Sequence, residues 1–104
     1  MRTLSPTDFQ ALVASGAVLL DVRLPEELAI AALPGPQVNI PLNDLPDRVG
    51  ELNPNQPIAV LCHHGVRSER AARFLERSGF TDVSHLAGGI DAWSLELDES
   101  LPRY

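Results

Sequence analysis

Two short stretches of the chain are almost entirely apolar. Residues 17–22 read AVLLDV and residues 58–61 read IAVL. Continuous apolar runs of this length are typical of strands that are buried on both faces, as in a parallel sheet. The shorter segments 2–4, 37–40 and 82–86 predict three further strands.

Helical periodicity fills the intervals between these strands. The best-marked helix start lies in LSPTDF, where Ser5 suits the N-cap, Pro6 suits the first helical position and Gly16 can end the helix. Further helical patterns cover 25–33, 42–52 (interrupted at Pro46), 68–78 and 88–97. Strands thus alternate with helices, which predicts an α/β domain with a mainly parallel sheet and right-handed crossovers.

Length and charge narrow the class of protein. The 104 residues, 44% of them hydrophobic, are enough for one domain over residues 1–104. No apolar run approaches the roughly 20 residues of a membrane span, and the N-terminus has no signal-like apolar region, so we expect a cytoplasmic protein with no membrane partner. A net charge of −6 also argues against nucleic acid as a partner. All eight basic residues are arginines, and four of them cluster at positions 67, 70, 73 and 77, where a small anion could bind.

The only cysteine, Cys62, directly follows the apolar run 58–61. Ligands gather at the carboxyl ends of strands in open α/β sheets, and the N-terminus of the next helix supplies N–H groups to the same region. Such a setting favours the thiolate, which is the nucleophilic form. Gly65 permits a tight turn, Arg67 offers a fork for an oxyanion and Ser68 can cap the helix. This interpretation requires an ionised sulfur that a donor can reach.

Other interpretations of Cys62 stay open at this point. A lone cysteine after a buried strand is often only a small hydrophobic core residue. One cysteine excludes an internal disulfide and a CxxC redox pair. Cys62, His63 and His64 are all of metal-ligand type, but they are contiguous and no fourth ligand is evident. The two histidines either act as acid or base or are loop side chains at the mouth of a pocket.

Four residues outside the loop need an interpretation as well. Asp21 and Arg23 end another strand, where they either brace the loop through an ion pair or cap the local structure. His85 lies in a short strand and is expected to be structural or on the surface. Trp93 is expected to pack in the core.

Four motifs in this order resemble the single-domain rhodanese family of sulfurtransferases. They are LLDVRLPEEL (19–28), NIPL (39–42), CHHGVRS (62–68) and LAGGIDAW (86–93). The resemblance covers nearly the entire chain. It implies a rhodanese-like three-layer α/β fold with a five-stranded, mostly parallel sheet flanked by helices.

The resemblance also implies an activity. Cys62 would take a sulfane sulfur from a small anionic donor such as thiosulfate, become a persulfide, and pass the sulfur to a thiophilic acceptor such as cyanide, a thiol or a protein. Arg67 matches the family's anion-facing arginine. The resemblance implies no metal or organic cofactor. The substrate-binding residues that it implies are His63, His64, Gly65, Val66, Arg67 and Ser68.

Two departures and two rival functions accompany the resemblance. Gln37 replaces the usual small apolar residue near the turn, where only a local effect is expected. Many relatives carry Gly-His where this chain has Ala31-Ala32, so a polar contact that braces the loop is expected to be missing. Phosphatases and arsenate reductases of similar fold commonly place five residues between cysteine and arginine, whereas this chain has four, His63 to Val66. A non-catalytic or sulfur-carrying interaction module is the other alternative, although Cys62 argues against an inactive one.

Overall fold

The computed structural model describes all 104 residues. Five parallel strands form one sheet in the order β1-β5-β4-β2-β3. The strands are β1 (Arg2–Leu4), β2 (Val18–Asp21), β3 (Val38–Asn39), β4 (Ile58–Leu61) and β5 (Val83–Leu86). The helices are α1 (Pro6–Ala14), α2 (Pro25–Ile30), α3 (Leu45–Arg48), α4 (Val66–Arg77) and α5 (Gly89–Glu96). None of the helices has the length and apolar character needed to span a bilayer.

The sheet separates two hydrophobic cores, and β4 contributes to both. Ile58 and Val60 pack into the core beneath α3 and α4, whereas Ala59 and Leu61 pack into the core beneath α1 and α5. This alternation follows from the two-residue period of a strand, and it explains why β4 is apolar along its whole length. The predicted three-layer α/β fold is confirmed.

Most predicted elements are present with shifted ends. The predicted N-cap is confirmed, since the Ser5 hydroxyl accepts a hydrogen bond from the Asp8 amide at 3.2 Å. The prediction that Trp93 packs in the core is confirmed as well, and its ring meets Phe9 edge to face. Helix α2 ends at Ile30, three residues earlier than predicted, because the backbone is extended at Ala31.

Two helix predictions need correction. Residues 42–52 do not form one helix interrupted at Pro46; they form the short α3 between two 3₁₀ turns. Pro46 lies in the first turn of α3, where its missing N–H costs no hydrogen bond. Helix α4 begins at Val66, two residues earlier than predicted, because Gly65 takes up the left-handed turn with a φ of 104°.

The first turn of α5 holds the backbone of the loop that follows β4. The amide of Ile90 donates to the carbonyl oxygen of Cys62 at 2.9 Å, and the amide of Asp91 donates to that of His63 at 3.2 Å. These N–H groups have no partner within their own helix, so the two structures satisfy each other. The position of the cysteine loop therefore depends on α5.

Gly89 allows this close approach. Its φ is 65°, and a Cβ at this position would lie 2.3 Å from the carbonyl oxygen of His63 and 2.6 Å from that of Cys62. Both neighbours are backbone atoms and cannot move aside alone. The second glycine of the LAGGIDAW motif is therefore required by the packing of α5 against the loop.

We expect Gly89→Ala to lower the free energy of unfolding by about 2–4 kcal/mol, because it combines a backbone clash with an unfavourable positive φ. Gly50→Ala is the matched control, since a Cβ there meets no atom within 4 Å. Chemical denaturation followed by circular dichroism measures both variants. Equal stability of the two variants would show that α5 does not constrain the loop in this way.

Candidate active site

Cys62 lies at the carboxyl end of β4, where the sequence analysis placed it. Its sulfur accepts a hydrogen bond from the amide of Gly65 at 3.0 Å, across the turn that the positive φ of Gly65 creates. A Cβ on Gly65 would come within 3.3 Å of the Gly88 amide nitrogen, so the turn also fits closely against the start of α5. The residue is only 1% exposed. The sulfur thus sits in a polar turn beneath the surface of the protein, and the expectation that a donor can reach the sulfur is not met in this conformation.

Ser68 contacts the sulfur instead of capping α4. Because the helix starts at Val66, Ser68 lies within its first turn and is fully buried. Its hydroxyl lies 3.4 Å from the Cys62 sulfur and donates to the carbonyl oxygen of Gly65 at 3.1 Å. The prediction that Ser68 is the cap is wrong, and the earlier start of the helix is the reason.

His85 is a neighbour of this serine that the sequence analysis did not assign to the site. It is 5% exposed, and its Nδ1 lies 3.0 Å from the Ser68 hydroxyl. Its Nε2 lies 3.0 Å from the hydroxyl of Thr3, its partner across the β1–β5 pair. Burial lowers the pKa of His85 below its ordinary value. The sequence carries no signal for this contact, because His85 is 23 residues from Cys62 along the chain and only the strand order brings β5 beside β4.

Arg67 is engaged by a carboxylate. Its Nη1 and Nη2 donate to the two oxygens of Glu27 at 2.6 and 2.8 Å. This bidentate bond holds the pKa of Glu27 at about 2, well below its usual range, and raises that of Arg67. Glu27 lies in the first turn of α2, 40 residues from Arg67, so no local sequence pattern predicts this pair. The guanidinium that was expected to face an oxyanion instead faces an internal carboxylate.

Tyr104 covers the same region from the end of the chain. Its ring stacks on that of His63 with centroids 3.8 Å apart and planes 4° apart. Its hydroxyl accepts from Arg23 at 2.8 Å and donates to Glu27 at 2.7 Å. Burial is the largest cause that raises the pKa of Tyr104, to about 12. The stack continues to His64, whose ring lies 3.8 Å from that of His63.

The two loop histidines therefore belong to an aromatic stack at the mouth of the site. Burial is also the largest cause that lowers the pKa of His63. The imidazoles of His63 and His64 face one another rather than converging with the sulfur on one point, and no group of three candidate ligands is assembled for a metal. The arrangement favours the interpretation as loop side chains beside the pocket.

Asp21 and Arg23 form a fully buried ion pair at the end of β2. The guanidinium contacts both carboxylate oxygens, the shorter contact being 2.7 Å, and donates to the carbonyl oxygen of Ala31 at 2.9 Å. The pair therefore braces the end of α2 and the ring of Tyr104 rather than the cysteine loop itself. Arg23 contacts the main-chain oxygen of Ala31. This contact therefore does not depend on a polar side chain at Ala31-Ala32, where the chain departs from the family pattern.

A cleft of about 340 Å³ opens beside Arg67. Arg70 lines it as well, so the cleft is basic within an acidic protein. The remaining lining residues are Val22, Leu24, Pro41, Leu42 and Asn43.

Comparisons with known proteins agree with this geometry. The family model of the rhodanese-like domain matches residues 5–96. The chain is 35% identical over 92 residues to the thiosulfate sulfurtransferase GlpE of Pseudomonas syringae, covering 88% of this chain and 86% of that protein. It is 43% identical over 76 residues to the putative sulfur carrier protein YrkF of Bacillus subtilis, covering 73% of this chain but only 40% of that protein. It spans just 30% of another relative, a rhodanese-like/PpiC domain-containing protein of Arabidopsis thaliana, at 45% identity over 85% of this chain.

Solved structures show the same fold. The crystal structure of a rhodanese-related protein from Thermoplasma volcanium superposes with a TM-score of 0.83 at 30% identity, covering 98% of this chain and 96% of that one. This match extends over nearly the whole length of both chains. The chain therefore belongs to the rhodanese-like family.

Proposed function

We propose that this protein transfers a sulfane sulfur from thiosulfate or a similar donor to a thiophilic acceptor through a persulfide on Cys62. The observation that carries the proposal is the setting of the sulfur. It lies at the end of β4, accepts a hydrogen bond from the Gly65 amide, contacts the Ser68 hydroxyl and sits in a loop that α5 holds in place. The Gly65 amide is a neutral donor to the sulfur, and neutral donors stabilise an anionic sulfur.

The reaction proceeds by two displacements. The Cys62 thiolate attacks the outer sulfur of thiosulfate, the bond between that sulfur and the sulfonate sulfur breaks, and sulfite leaves with the electron pair. The terminal sulfur of the resulting persulfide carries the negative charge. An acceptor then attacks this terminal sulfur, and the Cys62 thiolate is released. We propose that the amides of the 63–68 loop and the positive end of α4 stabilise the charge in both states.

Access to the buried sulfur requires the protein around the loop to move. Glu27, Arg67 and Tyr104 are joined by hydrogen bonds at 2.6–2.8 Å, and Arg67 lines the basic cleft. An anionic donor that approaches Arg67 has to displace the Glu27 carboxylate from it. Arg70, which forms no ion pair, adds positive potential at the cleft.

A sulfur-carrying interaction module is the second candidate. The same Glu27–Arg67 pair favours it, because an internal carboxylate already satisfies the cation that a small anion would use. Two apolar side chains beside Arg67, Leu24 at 49% and Val66 at 63% exposure, suit contact with a protein partner. In this case a protein persulfide, rather than thiosulfate, would be the better donor.

We expect incubation with thiosulfate to add one sulfur atom to the protein, and cyanide to remove it. Intact-mass spectrometry detects both steps. Cys62→Ser should take up no sulfur because its hydroxyl is a poor nucleophile toward the donor.

The same experiment separates the candidates. Sulfur loading of Cys62→Ser would reject Cys62 as the nucleophile. Loading from a protein or low-molecular-weight persulfide, but not from thiosulfate, would favour the interaction module. Release of phosphate from an aryl phosphate without persulfide formation would favour a phosphatase.

We expect Glu27→Gln to lower the KM for thiosulfate about three- to tenfold, because the variant frees Arg67 and removes a negative charge from the cleft. Arg67→Gln should raise the KM by about tenfold. Glu26→Gln is the matched control, since Glu26 is an exposed neighbour in the same helix. Steady-state kinetics with cyanide as the acceptor measures all three variants.

The pKa of Glu27 determines how the lower KM of Glu27→Gln depends on pH. Because the pKa of Glu27 is about 2, the wild-type carboxylate stays ionised down to about pH 4 and continues to compete with the donor. The advantage of Glu27→Gln in sulfur loading from thiosulfate, measured by intact mass without cyanide, should therefore be as large at pH 5 as at pH 7, whereas it would begin to fade at pH 5 for a glutamate of the ordinary pKa of 4.5. An unchanged KM in both Glu27→Gln and Arg67→Gln would remove this pair from the donor site.

A further inference from the structure

A line of hydrogen-bonding atoms runs from the Cys62 sulfur to the edge of the sheet. The Ser68 hydroxyl lies 3.4 Å from the sulfur and 3.0 Å from Nδ1 of His85, and Nε2 of His85 lies 3.0 Å from the Thr3 hydroxyl. Ser68 and His85 are buried, whereas Thr3 is exposed on the edge strand β1. The line therefore connects a buried sulfur with the solvent on the side away from the basic cleft.

When the Ser68 hydrogen lies in this line rather than on the carbonyl oxygen of Gly65, a neutral His85 allows two arrangements of hydrogens, because a neutral imidazole has one donor nitrogen and one acceptor nitrogen. In the first, the thiol donates to the Ser68 oxygen, Ser68 donates to Nδ1, and Nε2 donates to Thr3. In the second, Thr3 donates to Nε2, Nδ1 donates to the Ser68 oxygen, and Ser68 donates to the sulfur. In the second arrangement the sulfur is only an acceptor along the line, which suits a thiolate because a thiolate has no proton to donate and accepts hydrogen bonds more strongly than a thiol.

The surroundings keep the ring neutral. Burial is the largest cause that lowers the pKa of His85. The charged groups that face it are Glu69 and Arg73 from α4 and the terminal amine from β1; Glu69 raises the pKa, while Arg73 and the amine lower it. His85 therefore acts through its two neutral tautomers rather than through a change of charge.

We propose that His85 is a positioning residue whose tautomer follows the ionisation of Cys62 and thereby directs the Ser68 hydrogen toward the sulfur. The inference deepens the proposed sulfur transfer and rests on it, since that reaction begins from the thiolate. Without a donor at Nδ1, the Ser68 hydroxyl has the carbonyl oxygen of Gly65 as an alternative partner at 3.1 Å.

The protons balance along the line. The thiol proton moves to the Ser68 oxygen, the Ser68 proton moves to Nδ1, the Nε2 proton moves to Thr3, and the Thr3 proton moves to water. One proton leaves the protein, one negative charge stays on the sulfur, and no group is oxidised or reduced. The reverse sequence restores the thiol.

Nitrogen-15 NMR of the unmodified protein tests the inference, because protonated and unprotonated ring nitrogens have separate chemical shifts. Spectra recorded between about pH 6 and pH 10 bracket the titration of an ordinary thiol. We expect His85 to carry its proton on Nδ1 when the sulfur is ionised. Cys62→Ser provides the neutral reference, in which the proton should be on Nε2 throughout. The same tautomer in both proteins at every pH would overturn the inference.

Variants of His85 supply a second readout. His85→Phe should move the midpoint of the Cys62 thiolate titration, followed by ultraviolet absorbance or by the rate of alkylation, upward by about half to one pH unit, the effect of losing one hydrogen bond. In His85→Asn the midpoint should lie close to that of the wild type, because the amide nitrogen of the asparagine can replace Nδ1 as a donor to Ser68. Midpoints equal to that of the wild type in both variants would contradict the proposed role. Should His85→Phe fail to fold, the spectra of the unmodified protein decide the question.

These measurements need no sulfur donor, so they separate two failures. If His85 follows the ionisation of Cys62 but the protein takes up no sulfur, the proposed function is wrong and the link between the two residues stands. If the protein loads sulfur while the tautomer stays fixed, the function stands and His85 is only structural.

Discussion

The hydrogen bonds from the first amides of α5 to the carbonyl oxygens of Cys62 and His63 fix the loop on which the whole site depends. A loop of four residues between a strand and a helix has few bonds of its own, and its carbonyl groups would otherwise face solvent or remain unpaired. The N-terminus of α5 satisfies them and requires a glycine at position 89 to come close enough. The last of the four sequence motifs, LAGGIDAW, is therefore structurally part of the cysteine loop.

The other two motifs support the mouth of the site. The side-chain amide of Asn39 donates to the carbonyl oxygens of Asp21 and Arg23 at 3.0 and 2.9 Å, which fixes the chain as it leaves β2. The buried Asp21–Arg23 pair then orients the Tyr104 hydroxyl. A buried pair of this kind contributes little net stability after desolvation, so positioning is its more important effect. Motifs that are separate in sequence thus act on one surface.

The sequence was sufficient for the fold because the fold is encoded by local patterns. Apolar runs, helix caps and turn glycines predicted the five strands and the position of Cys62. It was insufficient for the partners of the site residues. Glu27 meets Arg67 across 40 residues and Tyr104 meets His63 across 41, and such contacts depend on how α2 and the C-terminal segment cross the end of the sheet. The two-residue error in the start of α4 had a local origin instead, since the φ of Gly65 decides whether Ser68 caps the helix or faces the sulfur.

Charge is distributed unequally around the sulfur. Toward the cleft lie ionised groups, Arg67 and Glu27, at partial exposure, where solvent reduces the cost of exchanging one partner for another. Behind the sulfur lie neutral groups, Ser68 and His85, both buried. A fixed buried cation in their place would cost desolvation energy and would bind a donor's anionic leaving group as well as the sulfur. Neutral hydrogen-bond donors stabilise a small anion without either effect. The side of the sulfur toward the cleft, where a donor would replace a carboxylate, is therefore charged, and the buried side that only positions the sulfur is neutral.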